Sequence, residues 1–139
     1  MEREQTGLIE SVKNGIVSAI KGTGDIASAV ANAVSKTVTT TVKGIGDIAT
    51  SLVSTTSAVA QGTIQAVMEV GGDLGLAAKG IILGVLRGTK QAGAATFETI
   101  SQTAGSVIKS TAEVGGDLGT AAKGLVEGAV EGAKELGLD

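Results

Sequence analysis

Two pairs of carboxylates are the residues whose type and spacing come nearest to a chemical site. Glu69 and Asp73, and again Glu113 and Asp117, stand four residues apart, which places both members of a pair on one face of a helix. Such a pair could bind a cation weakly, although it is more often part of a solvated surface. Because the chain has no His and no Cys, the commonest general base and metal ligands are missing. We therefore predict no metal site and no catalytic residues.

Glycine-containing segments and hydroxyl groups are the other candidates for chemistry. The segment 22–27 (Gly-x-Gly-x-x-Ala) and its copy at 44–49 loosely match a dinucleotide-binding fingerprint, but that fingerprint must follow a strand in a βαβ unit. The serines and threonines have neither a His nor a suitably placed Lys to activate them as nucleophiles. We expect no cofactor and no small-molecule substrate, and we predict that the protein is not an enzyme.

The composition limits the broad class of protein. The 139 residues include 11 basic and 14 acidic side chains, for a net charge of −3, which argues against a nucleic-acid partner. Charged residues make up 18% and the mean hydropathy is +0.34, which argues against disorder. Phe97 is the one aromatic residue, which is too few for an ordinary globular core. The acidic start of the chain lacks the apolar segment of a signal peptide, so we expect a cytoplasmic or membrane-associated protein.

Internal repeats organise almost the whole chain. Residues 21–27 return as 43–49, 22 residues later, and residues 69–80 return largely unchanged as 113–124, 44 residues later. Both offsets are multiples of eleven. When residues are sorted by number modulo eleven, positions 4, 8, 1, 5 and 9 hold 34 of the 39 Val, Ile, Leu, Met and Phe residues, and the other six positions hold 24 of the 25 charges. Eleven residues make three helical turns, so these five positions form one apolar stripe.

The phase of this stripe holds from Leu8 to Leu136, and the chain contains no Pro. Since a continuous helix must preserve phase and a turn need not, we predict an all-α protein with short tails at 1–7 and 137–139 and one nearly continuous helix over 8–136. That helix would be ~200 Å long. In the alternative, residues 71–73 and 115–117 (Gly-Gly-Asp) are turns at which the helix folds back, with Asp capping the next helix.

A long helix with such a stripe must bury it against neighbours. We predict a homo-oligomer interface formed by the large residues of the stripe, namely Leu8, Val12, Ile26, Val30, Val34, Ile45, Ile48, Leu52, Val59, Val67, Val70, Leu74, Ile81, Val85, Ile100, Val107, Val114, Leu118 and Leu125. Small residues at both margins let helices approach closely. We predict close helix contacts at Gly71, Gly75, Gly80, Gly84, Gly88, Gly115, Gly119, Gly124, Gly128 and Gly132.

Eleven-residue amphipathic repeats rich in Val, Thr, Ala and Gly resemble two families over almost the whole chain. The first is the hendecad coiled coils, and that resemblance implies a right-handed coiled coil, a helical tube or a fibre. The second, weaker resemblance is to synuclein and apolipoprotein helices, as in residues 56–63 (TSAVAQGT), and it implies binding to a lipid surface. Lysines that meet lipid headgroups are sparse here, since no basic residue lies between Lys43 and Lys79.

Two functions therefore remain open on the sequence. The first is a non-enzymatic structural protein that assembles with itself through the apolar stripe. The alternative is a membrane-associated or membrane-embedded helix protein, because the uncharged stretch Ile48 to Met68 is long enough to cross a membrane. Strong helicity in plain buffer favours the first function, and a gain of helix on adding vesicles favours the second.

Overall fold

The computed structural model describes residues 2–43, 48–91 and 97–137. Over these ranges the helices are joined by short turns and there is no strand, so the chain is all-α, as the sequence predicts. The helices are α1 (Glu2–Thr23), α2 (Ile26–Lys43), α3 (Ile48–Val70), α4 (Leu74–Gln91), α5 (Phe97–Glu113) and α6 (Leu118–Leu136). Residues 2–7, expected as a tail, belong to α1.

A glycine and an aspartate form the turn between α3 and α4. Gly71 has a φ of +73°, a left-handed conformation that glycine adopts without steric cost. The N–H of Gly72 donates to the carbonyl of Val67 at 2.9 Å, which closes the end of α3 as in a Schellman motif. The carboxylate of Asp73 then accepts the N–H of Gly75 at 2.6 Å, and this satisfies a free donor at the start of α4.

The same chemistry recurs at the other described turns. Gly115 has a φ of +72°, and Asp117 caps α6 by accepting the N–H of Thr120 at 3.1 Å. Gly24 has a φ of +76°, and Asp25 accepts the N–H of Ser28 at 3.1 Å at the start of α2. Each of these three turns therefore stops one helix with a left-handed glycine and starts the next with an aspartate cap.

These turns show that the prediction of one nearly continuous helix over 8–136 is wrong, and that the fold-back alternative at residues 71–73 and 115–117 is correct. The stripe keeps its phase for a different reason. The sequence offsets of 22 and 44 residues correspond to one and two helix-plus-turn units. From α4 to α6 the offset is 44 residues, a whole multiple of eleven, and from α2 to α4 it is 48 residues, which adds about one helical turn, so the apolar face returns to nearly the same angle in these three helices. The segments 44–47 and 92–96 lie outside the described residues.

The six helices pack as two layers. Helices α2, α4 and α6 lie side by side with α4 in the middle, and α1, α3 and α5 form a second row with α3 in the middle. Each helix also contacts the next one along the chain. Helices α2, α4 and α6 run parallel, because Gly80 and Gly88 of α4 meet Val30 and Val38 of α2 in the same order, and Gly128 and Gly132 of α6 meet Ile82 and Leu86 of α4 in the same order. The result is a stack of three helix pairs, in which each pair is stabilised by its neighbours.

The core lies between the two rows and is built from aliphatic side chains. Its largest fully buried residues are Ile16, Ile64, Ile81, Ile82 and Leu86, together with valines from α2, α3 and α4. The helices approach closely because small residues lie between them. A core of this kind needs little side-chain volume, which explains how the chain can be compact with one aromatic residue.

One buried polar atom in α3 departs from this apolar packing. Thr63 is fully buried, and its hydroxyl has no hydrogen-bond partner, which costs about 1–3 kcal/mol in lost solvation. We expect Thr63→Val, which keeps the shape and removes the hydroxyl, to raise the free energy of unfolding in urea by about 1 kcal/mol. Thr103→Val is the matched control, since the Thr103 hydroxyl donates to the carbonyl of Thr99 at 2.8 Å. An equal gain in both variants would contradict this explanation.

Candidate interaction surface

Most of the large residues predicted at an oligomer interface face the core of the chain itself. Ten of them are buried: Val12, Val30, Val34, Val59, Val67, Leu74, Ile81, Val85, Val107 and Leu125. Four more are partly buried against that core: Ile26, Val70, Ile100 and Val114. Leu118 is 44% exposed. Ile45, and the side chains of Leu8, Ile48 and Leu52, lie outside what the structure describes. The stripe is thus used mainly to fold the monomer.

The first triplet of predicted contact glycines, Gly80, Gly84 and Gly88, lies against α2. A Cβ built on Gly84 would lie 2.6 Å from the Cβ of Val34 and 2.7 Å from the carbonyl oxygen of Ala31. Gly80 and Gly88 meet Val30 and Val38 in the same way. Valines of α2 therefore form a ridge that fits into a glycine groove on α4.

The second triplet, Gly124, Gly128 and Gly132, forms the same groove on α6. Gly124 lies against the backbone of Gly75, Gly128 against Ile82 and Gly132 against Leu86, so that a ridge of α4 fits into this groove. Of the other predicted contact glycines, Gly71 and Gly115 serve as turn residues. A Cβ on Gly119 would meet no atom of another helix.

The two groove contacts repeat with a regular sequence offset. Aligned on the capping aspartates, α2 and α4 differ by 48 residues and α4 and α6 by 44. Val34 of α2 thus corresponds to Ile82 of α4 and to Val126 of α6. Ile82 is buried beneath Gly128, but none of the described helices covers α6 in the same way, and Val126 is 64% exposed. The last helix of the row therefore presents a ridge without a groove against it.

We call this surface the α6 edge and define it by Gly119, Ala122, Val126, Val130 and Ala133. The spacing places these residues on one side of the helix, opposite the groove that faces α4. The first four are exposed and Ala133 is half-buried, and Val130 is 51% exposed. A contiguous row of exposed small apolar residues is a candidate contact surface.

The charged residues Lys123 and Glu127 border the α6 edge on its solvent side, and both are exposed. They stand four residues apart with opposite charge. The α6 edge thus has an apolar centre and a polar border, which is the usual anatomy of a protein interface.

The opposite end of the row has a different character. By the same alignment, Asn32 and Lys36 of α2 stand where α4 has Gly80 and Gly84, and both are exposed. We call these two residues the α2 edge. A side chain as long as Lys36 fills the space that a groove would need, so the α2 edge offers no place for a ridge.

Ion pairs join α4 to α6 beside the glycine groove. Arg87 donates from Nε and Nη2 to the two carboxylate oxygens of Glu135, at 3.0 and 2.7 Å. The Nζ of Lys79 lies 3.3 Å from Oε2 of Glu131. The sequence analysis did not predict these ion pairs. The sequence does contain a regular spacing that accompanies them. Glu131 follows Gly124 by seven residues, and Glu135 follows Gly128 by seven residues.

Hydrogen bonds from Arg87 lower the pKa of the Glu135 carboxyl, and the backbone N–H of Thr120 lowers that of Asp117. A lowered pKa stabilises the fold above the ordinary carboxyl range, and this contribution is lost as the pH falls through the folded-state values. We expect Glu135→Gln to reduce the free energy of unfolding at pH 7 by less than about 1 kcal/mol, because the pair is partly exposed. Urea unfolding should show this difference shrinking at pH 3, and a difference independent of pH would count against the ion pair.

The members of each carboxylate pair, Glu69 with Asp73 and Glu113 with Asp117, do not share one helix face. Asp73 and Asp117 cap helices, whereas Glu69 and Glu113 belong to the preceding helices, so that a turn separates the members of each pair. Glu69 lies 3.7 Å from the Nζ of Lys13. In the described ranges no group of three or more carboxylates could hold a metal ion.

Three grooves among the described residues lie between neighbouring helices. A groove of about 270 Å³ between α3 and α5 is lined by polar side chains such as Gln61, Gln102 and Lys109. None of the described helices, α3 included, is both long and apolar enough to cross a membrane.

No protein-family model, curated protein or solved structure matches this chain.

Proposed function

We propose that this protein is a non-enzymatic structural protein that associates with itself through apolar helix surfaces. The observation that supports it is the exposed α6 edge, at which Val126 is 64% exposed. The residues equivalent to Val126 in α2 and α4, Val34 and Ile82, are buried against a neighbouring helix. The equivalent ridges of α2 and α4 are each covered by a neighbouring helix of this chain. The ridge of α6 is suited to being covered by a helix of another molecule.

The stack of helix pairs also suits a structural role. Repeat architectures extend by adding like units, and their ends need polar surfaces if they are to stay monomeric. The α2 edge carries Asn32 and Lys36, whereas the α6 edge carries Val126 and Val130. The two ends of the row therefore differ, and the α6 end has the composition of a contact surface.

The test is the mass of the full chain by size-exclusion chromatography with light scattering, from about 1 to 500 μM. Self-association predicts a mass that rises from one to at least two chains with concentration, and a melting temperature that rises with it. A single-chain mass over the whole range would refute the proposal.

Circular dichroism separates this function from lipid binding, the alternative that the sequence leaves open. We expect the full helix content in plain buffer and no change on adding anionic phosphatidylserine vesicles. A low helix content that rises sharply with vesicles would instead support a lipid-surface protein.

A further inference from the structure

We propose that the α6 edge binds the α6 edge of a second copy of this chain, antiparallel and with Val126 on the two-fold axis, so that assembly stops at a dimer. This inference rests on the self-association proposed above and names its surface. Three observations indicate that a second copy of this chain binds the α6 edge. They are the difference between the α2 edge and the α6 edge, the order of residues along the α6 edge, and the charges that border it.

The ends of the row argue against a head-to-tail contact. Such a contact would place the α6 edge of one copy against the α2 edge of the next. The contacts α2–α4 and α4–α6 each fit a ridge into a glycine groove, but the α2 edge has Asn32 and Lys36 in place of glycines. Val126 would then face the ammonium of Lys36 and bury it without a partner, which is costly. The α6 edge is left to pair with its own counterpart, and an isologous contact of this kind is closed.

The order of residues along the α6 edge is suited to a two-fold axis. Val126 is its middle residue, with Ala122 and Val130 four residues to either side and Gly119 and Ala133 seven to either side. When two such helices run antiparallel about Val126, each Ala122 faces the partner's Val130, and each Gly119 faces the partner's Ala133. Each facing pair thus contains at least one small residue, Ala or Gly, except at Val126, which meets its own copy. This lets the two helices approach closely.

The charges bordering the α6 edge fit the same register. In an antiparallel pair centred on residue 126, Lys123 and the partner's Glu127 are offset by two residues along the axis, about 3 Å at 1.5 Å per residue. Symmetry creates this pair twice, once on each side of the axis. Shifting the centre to residue 128 leaves the two Glu127 side chains at an unchanged offset but moves Lys123 six residues, about 9 Å, from the partner's Glu127, so the attraction between opposite charges is lost. The bordering charges therefore favour the register that the apolar residues favour.

Cysteine cross-linking tests the axis directly, because the chain has no native Cys. In full-length Val126→Cys, the two thiols lie next to each other across the axis, and mild oxidation should convert most of the chain to a covalent dimer. Asn32→Cys, at the exposed α2 edge, is the matched control and should remain more than nine-tenths monomeric. Cross-linking of Asn32→Cys and not of Val126→Cys would overturn the proposal.

Charge and size variants distinguish a failure of this proposal from a failure of self-association. We expect Val126→Lys to weaken the dimer at least tenfold by light scattering, and Asn32→Lys to leave it unchanged. Lys123→Glu and Glu127→Lys should each weaken it, and the double variant should restore it because the pair is reciprocal. If Val126→Lys associates as the parent chain does, self-association stands and the α6 edge is the wrong surface. If the parent chain is monomeric at every concentration, both proposals fail.

Discussion

Leu86→Asp is expected to leave the protein unfolded in plain buffer. Leu86 is fully buried and lies against Gly132 at the α4–α6 contact. Removing a buried leucine costs about 2–5 kcal/mol, and an unpaired carboxylate in that space costs several more. Their sum is comparable to the whole stability of a typical domain, about 5–15 kcal/mol. Circular dichroism and urea unfolding would show the loss of the cooperative transition.

Val130→Asp is the matched control, because Val130 stands 44 residues later at the equivalent position of α6 and is 51% exposed. At concentrations where the chain is monomeric, we expect it to change the free energy of unfolding by less than about 1 kcal/mol. Two residues that share one position of the eleven-residue repeat should thus differ severalfold in effect. Similar losses in both variants would mean that the α6 edge is buried within the monomer.

Gly84→Leu is expected to lower the free energy of unfolding by about 3 kcal/mol or more. Even a Cβ at this position would lie 2.6 Å from the Cβ of Val34 and 2.7 Å from the backbone oxygen of Ala31. Because that oxygen belongs to the α2 backbone, it cannot move aside like the end of a side chain. The two helices must therefore separate, and the contacts of the ridge with the groove are lost.

Gly105→Leu provides the control for Gly84→Leu. Gly105 lies in the middle of α5, is exposed, and has no atom within 4 Å of a Cβ built on it. Since leucine is the better helix former, this variant should gain up to about 1 kcal/mol. Urea unfolding of the two variants would then give shifts of opposite sign. A loss of stability in both would indicate that glycine is needed for a reason other than close packing.

The eleven-residue repeat predicted the helical secondary structure and much of the core. The sorting by eleven identified residues such as Val34, Ile81 and Val85 as apolar and on one helical face, and all three are buried. The pattern also singled out the triplets at Gly80 and Gly124 as sites of close approach. Periodicity reports which face of a helix is apolar, and that is a local property of the chain.

Periodicity could not report where the helix ends. A helix and its turn that together span 22 residues keep the eleven-residue phase, and so does a continuous helix. The apolar pattern is therefore the same in the folded-back chain and in the continuous helix. The decision belongs to local chemistry at Gly71 and Asp73, where a left-handed glycine closes one helix and a carboxylate caps the next. The same signal is present at Gly115 and Asp117, and an unbroken phase does not distinguish it from a continuous helix.

The sequence by itself therefore determined that this protein is helical, that it has an apolar face in an eleven-residue repeat, and that glycines line the margins of that face. Only the tertiary structure decided what covers each part of the face. Val34, Ile82 and Val126 occupy equivalent positions, but two of them are buried by the next helix in the row and the third is not. Burial depends on how many neighbours a helix has, and Val126 is exposed because α6 is the last helix of its row.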